Sequence, residues 1–166
     1  MIWIAHRGLY NGPSPATENS PMQIRQALDL GYEVEIDVRW VGGKFYLGHD
    51  SAQYDIHDMF LQNTRLWCHA KTIETLLKLM SNGCTKVLTH DKDDCAIAFD
   101  SGNTDKWIWT YPDSKHPLTN RSIAVMPENT AWTKEQLEVC AGICSDYVAE
   151  YQKDLGWKKP AEQAAQ

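Results

Sequence analysis

Glu35 and Asp37 stand two residues apart in the apolar run from Tyr32 to Val38. On a strand, that spacing points both carboxylates to one face. Two carboxylates so close repel unless a cation sits between them, and paired oxygen ligands suit Mg²⁺ or Ca²⁺. A solvated strand face would explain the pair without a metal. However, the intervening Val34, Ile36 and Val38 mark the other face as buried. His69 and Lys71 repeat the spacing at the end of another run. Lysine there would neutralise charge that develops on a phosphoryl group. His69 is either a nitrogen ligand or a hydrogen-bonded structural histidine. His6-Arg7-Gly8 combines a proton-transfer group, a two-donor phosphate grip and a residue that lets backbone pass close to a ligand. An exposed loop is the other reading of that tripeptide. His49-Asp50 ends a further run.

His49 needs a hairpin to reach the carboxylates. Gly42-Gly43 separates Val38–Val41 from Lys44–Leu47, which only an antiparallel turn can join. With a three-residue loop, Gly42-Gly43-Lys44, Val41 pairs with Phe45 and Asp37 with His49, on one face. A two-residue loop shifts the register by one and turns His49 away. The three-residue loop is therefore the expectation.

Short apolar runs recur along the chain: Ile2–Ala5, Tyr32–Val38, Phe45–Leu47, Leu66–Cys68, Lys86–Leu88, Trp107–Trp109, Ser122–Val125 and the neighbourhood of Ile143. Read as strands they number about eight. Most end in polar groups, including His90-Asp91, Tyr111-Pro112-Asp113 and Ser145-Asp146-Tyr147. In α/β barrels functional groups gather at the carboxyl ends of the strands. Trp109, Tyr111 and Tyr147 are candidates for an aromatic rim, or for core packing. His90 and Asp91 read as structural.

Three helices are expected. One has Ser20 as cap, Pro21 at its first position, Gln23 completing a capping box, a stripe of Ile24, Ala27 and Leu28, and Gly31 as stop. A second runs from near Thr72 through Ile73, Leu76, Leu77 and Met80 to Gly83. A third has Thr133 and Gln136 at its start, Leu137 and Cys140 facing in, and Gly142 as stop. Leu88 to Trp107 leaves room for a short helix, and Tyr111 to Ser122 for none. Pro127-Glu128-Asn129-Thr130 reads as a turn that echoes Pro15–Asn19 by coincidence. A full barrel takes about 250 residues, and this chain has 166. The expected fold is α/β: a small, trimmed TIM-like (β/α) barrel with several outer helices missing and one antiparallel β-hairpin. It forms one domain over residues 1–157, with a flexible tail at 158–166.

Hydrophobic residues make up 43% and charged residues 23%, ordinary for a globular chain. The net charge of −6 argues against a nucleic-acid partner. It also means that a cation or an Arg/Lys pair must reverse the field locally for an anionic substrate. Five cysteines without C-x-x-C spacing read as reduced thiols rather than a zinc site. No signal peptide or membrane-spanning run is recognisable, so the expected location is the cytoplasm, without stable membrane insertion.

Taken in order, Ala5-His6-Arg7-Gly8, Glu18-Asn19-Ser20, Glu35-Ile36-Asp37 and Leu47-Gly48-His49-Asp50 resemble the glycerophosphodiester phosphodiesterase family of the phospholipase C-like phosphodiesterase superfamily. The likeness covers the first third of the chain, and Lys71 extends it. It implies a barrel, a small-molecule phosphodiester substrate, catalytic His6 and His49, phosphate-binding Arg7 and Lys71, and a divalent cation on Glu35 and Asp37. The family has an acidic metal ligand where this chain has His69. A nitrogen ligand there adds Mn²⁺ or Zn²⁺ to Mg²⁺ and Ca²⁺ as candidates. The other readings are a barrel that binds a phosphate or phospholipid head group without cleaving it, or a metal-dependent hydrolase or lyase of another barrel family.

Overall fold

A computed structural model describes residues 1–90, 92–102, 105–112 and 114–155. Among these residues ten strands form one sheet: β1 (Ile2–Ala5), β2 (Glu33–Val41), β3 (Lys44–Leu47), β4 (Tyr54–Asp55), β5 (Leu66–Ala70), β6 (Lys86–Leu88), β7 (Cys95–Asp100), β8 (Lys106–Thr110), β9 (Ser122–Val125) and β10 (Gly142–Ser145). Eight of them close a ring in the order β1-β2-β5-β6-β7-β8-β9-β10, with β10 returning to β1. Every neighbouring pair is parallel except the two made by β7, which runs against both β6 and β8. β3 and β4 extend β2 outside the ring. The fold is thus a small, trimmed α/β barrel, as its sequence implies.

Among the described residues four helices accompany the ring: α1 (Pro21–Asp29), α2 (Ile73–Ser81), α3 (Lys134–Glu138) and α4 (Val148–Asp154). Ser20 caps α1 through the Gln23 N–H, but no capping box forms. The Gln23 side chain instead donates to the Gly8 carbonyl, tying α1 to the loop after β1. The Thr133–Gln136 box does form at α3. Gly142 is not the stop of α3. It opens β10, where a Cβ would lie 2.7 Å from the Ile2 carbonyl oxygen. On α2 the buried side chains are Thr75 and Leu79, while Ile73, Leu77 and Met80 face solvent. No helix is long and apolar enough to cross a membrane, among the described residues. The tail expected at 158–166 lies outside the described residues.

Two cores result. Side chains of the outer faces, such as Val34, Ile36 and Cys68, pack under α1 and α2 with Ile24 and Leu79. The barrel interior is filled by Ile4, Trp67, Leu88, Ala96, Ala98, Trp109, Ile123, Val125 and Cys144. Trp67 and Trp109 meet at a centroid distance of 5.3 Å and occupy most of that layer. This explains β7, which stands where a short helix had seemed to fit. Its inward positions are Ala96 and Ala98, small enough to face two indoles, while Cys95, Ile97 and Phe99 point outward. The interior is sealed at the amino ends of the strands by Glu33, whose carboxylate accepts from the Trp67 indole and pairs with Lys86.

Candidate active site

At the carboxyl ends of the strands the interior opens into a cavity of about 230 Å³. His6, Arg7, Glu35, Asp37, His49 and His69 line it on one side, and His90, Trp109, Tyr111, Pro112, Val125 and Met126 on the other. β2 supplies the centre. Val34, Ile36 and Val38 belong to the outer core, so Glu35 and Asp37 face the interior, where they are 3% and 1% exposed. On β5, Trp67 lies in the interior layer, and His69 and Lys71 follow on the same face.

Asp37 is held on all sides. Asn19, fully buried, grips it twice: its amide donates to Asp37 Oδ2 at 3.0 Å, and its carbonyl accepts the Asp37 N–H at 2.9 Å. Arg7 Nε lies 3.1 Å from Oδ2, and His69 Nδ1 and Lys71 Nζ lie 3.1 and 3.3 Å from Oδ1. Burial alone would raise the Asp37 carboxyl. The His69 hydrogen bond and the charges of Lys71 and Arg7 outweigh it and hold Asp37 far below the usual carboxylate range. Glu35 goes the other way: burial and the adjacent Asp37 charge raise it, outweighing the lowering effects of His6, His69 and Arg7. Its oxygens are 3.9 Å from His6 Nε2 and 3.7 Å from His69 Nδ1, and one accepts the Arg7 N–H.

His6, Arg7 and Gly8 form a single 3-10 turn in which Arg7 takes a left-handed φ of 51°. Gly8, also left-handed, serves packing rather than ligand approach, because a Cβ would sit 3.1 Å from the Ile24 nitrogen. Glu18 holds the Arg7 guanidinium at 3.0 Å. His6 Nδ1 lies 2.8 Å from Asp146 Oδ1, which leaves Nε2 on the Glu35 side. Burial lowers the affinity of His6 for its proton, but the Asp146 hydrogen bond and the Glu35 charge more than reverse that, so its pKa is raised.

Asp146 carries no role in the sequence reading, although it ends a strand as the other candidates do. Its backbone N–H donates to Glu128, which also accepts from Ser145 Oγ. The 3-10 turn Pro127–Asn129 thus braces the segment that carries Asp146. Met126 reaches it through a left-handed φ of 48°.

The hairpin register differs from expectation. The loop has two residues, Gly42 and Gly43, both left-handed (φ 58° and 83°), and the pairs are Val41–Lys44, Trp40–Phe45, Arg39–Tyr46 and Val38–Leu47. This turn type matches the strand twist, which a three-residue loop would have to absorb as a bulge. Asp37 therefore has no ladder partner in His49. His49 still lines the cavity because β3 stops at Leu47 and the chain turns at Gly48, φ 143°. Its side chain is 38% exposed, with Nδ1 2.8 Å from its neighbour Asp50.

On the far wall, His90 stacks between His69 (4.9 Å) and Tyr111 (4.0 Å). Burial, aided by His69 and Lys71, lowers His90 to about 4. Burial likewise pushes the Tyr111 hydroxyl up. His69 Nε2, His90 Nδ1 and Tyr111 Oη are buried without a hydrogen-bond partner among the described residues. Trp109 and Tyr111 line the cavity, Trp109 as part of the interior core with Tyr111 packed against it. Tyr147 does not, its ring packing over Gly12. Asp91 and Asp113 lie outside the described residues. All five cysteines are free thiols, four of them buried.

Glu35, Asp37 and His69 each offer a ligand atom within 4.8 Å of the others. Two oxygens and one imidazole nitrogen at that spacing fit a divalent cation. Comparison of the chain with protein-family models, with curated proteins and with solved structures finds no match.

Proposed function

We propose that this barrel is a phosphodiesterase of the glycerophosphodiester phosphodiesterase type, acting on a small-molecule phosphodiester. The observation that carries the reading is the pair His6 and His49 on one cavity whose centre is Glu35, Asp37 and His69 with Arg7 against it. The order of the motifs along the chain gives independent support.

On this reading Arg7 and Lys71 hold phosphate oxygens and balance their charge. Glu35, Asp37 and His69 would hold the divalent cation, which supplies Lewis-acid stabilisation of the phosphoryl charge when bound. One imidazole takes the proton of the attacking hydroxyl, from water or from a neighbouring substrate alcohol. The other gives a proton to the leaving alcohol. Asp146 keeps His6 in one orientation through these transfers. With Mg²⁺, Ca²⁺, Mn²⁺ and Zn²⁺ tested singly against chelator, release of nitrophenol from bis(p-nitrophenyl) phosphate should depend on the cation. Absence of turnover with every cation would sink the proposal.

A second reading is favoured by one feature, the placing of both Arg7 and Lys71 on Asp37. A barrel that binds phosphate esters without cleaving them needs those cations and no histidine pair. Glycerophosphate binding that is unchanged in His6→Ala, without turnover, would select it.

A further inference from the structure

β2 carries Glu35, Asp37 and Arg39 at alternate positions, and the third of these has no part in the chemistry above. Its guanidinium reaches outside the ring to the loop after β3. Nε donates to the Gly48 carbonyl at 3.0 Å, and Nη2 donates to the His49 carbonyl. A planar fork thus grips two consecutive carbonyls on either side of the His49 backbone.

The grip matters because the ladder does not reach His49. Pairing ends at Val38–Leu47, and a single further bond, from the Gly48 N–H to the Asp37 carbonyl, follows it. Asp50, Ser51, Ala52 and Gln53 beyond are exposed. The turn itself demands glycine, since a Cβ at Gly48 would meet the Ser51 carbonyl oxygen at 2.1 Å.

We infer that Arg39 is the positioning residue of His49: its fork fixes the imidazole over the cavity, so that one strand places both the carboxylates and the second histidine. The role in turnover rests on the phosphodiesterase reading; the grip on the loop does not.

The test uses Arg39→Lys, which keeps the charge and loses the fork, Arg39→Met, and Gly48→Ala as an independent way to displace the loop. Amide exchange at Gly48 and Gln53, whose N–H groups donate to the Asp37 and Leu47 carbonyls at the two ends of the loop, should quicken about tenfold or more in all three as the loop loosens. Turnover of bis(p-nitrophenyl) phosphate should fall by about 10- to 100-fold in kcat, with KM changed by less than about threefold. In a His49→Ala background, Arg39→Met should cost nothing further, because it acts only through that histidine. Unchanged exchange overturns the inference, as does a full additional loss in the double variant. Should the wild-type protein turn over no phosphodiester, the functional reading fails while the exchange result still decides whether Arg39 holds the loop.

Discussion

The cavity has two walls built on opposite principles. The wall from β1, β2 and β5 is charged and held by hydrogen bonds and ion pairs: Asp37 alone meets Asn19, Arg7, His69 and Lys71. The wall from β6, β8 and β9 is held by ring packing, and it leaves His90 Nδ1 and Tyr111 Oη without a partner among the described residues. Bonded networks at low local dielectric fix geometry to within tenths of an ångström, as proton transfer requires. Packed aromatics fix shape and leave polar valences for whatever enters. On the proposed reading the first wall reacts and the second shapes the alcohol.

The largest effect should come from the charged wall. His6→Ala should lower kcat by about 10²- to 10⁴-fold with the fold intact, read by turnover and circular dichroism. Full activity would remove His6 from the account.

Asp146→Asn comes next, at about tenfold or more in kcat. It has a sign as well as a size. Burial lowers His6 and Asp146 raises it, so the variant's His6 limb in the pH–rate profile should move to lower pH. Stability follows the same linkage. A histidine raised on folding contributes stability that is present below its unfolded value near 6.5 and is lost as pH rises through its folded value. The variant's deficit in denaturant melts should therefore be greater at pH of about 5.5 than at about 8. An equal deficit at both would contradict the raised imidazole.

His69→Glu probes the nitrogen in the metal set. It should tighten Mg²⁺ or Ca²⁺ relative to Zn²⁺ by about tenfold, measured by isothermal titration. An unchanged preference would mean that His69 is not a ligand.

Smaller effects separate the walls by stability. Glu35 is a carboxyl raised by burial and by Asp37, so its ionised form costs stability above its unfolded value of 4.5. Without cation, Glu35→Gln should gain about 1 kcal/mol near neutral pH, and it should abolish the rise in Tm on adding cation. On the other wall, Tyr111→Phe should gain about 1 kcal/mol by removing an unpaired buried hydroxyl, with no dependence on cation. A cation-dependent gain in Tyr111→Phe would erase the distinction.

The two walls also differ in how far they can be read from sequence. Glu35, Asp37, His69 and Lys71 announce themselves because strand periodicity is two and their apolar neighbours face the other way. The position of His49 hangs on a loop length that the sequence leaves open between two and three residues; the loop has two, and the turn at Gly48, which no pairing rule predicts, carries His49 to the cavity. Asp146 bonds to His6 across most of the chain, and Glu128 accepts the Asp146 N–H from 18 residues away; local pattern carries neither contact. β7 was hidden because its inward residues are alanines and its outward ones apolar, the reverse of the usual alternation. Only the two indoles opposite make that sensible.

The most direct test of the central claim is ³¹P NMR of a glycerophosphodiester incubated with the wild-type protein and with His6→Ala, with each divalent cation and with chelator. The account predicts that the diester signal gives way to a phosphomonoester or cyclic phosphate only with wild-type protein and cation. A diester that persists under every condition, or that disappears equally with His6→Ala, would contradict it.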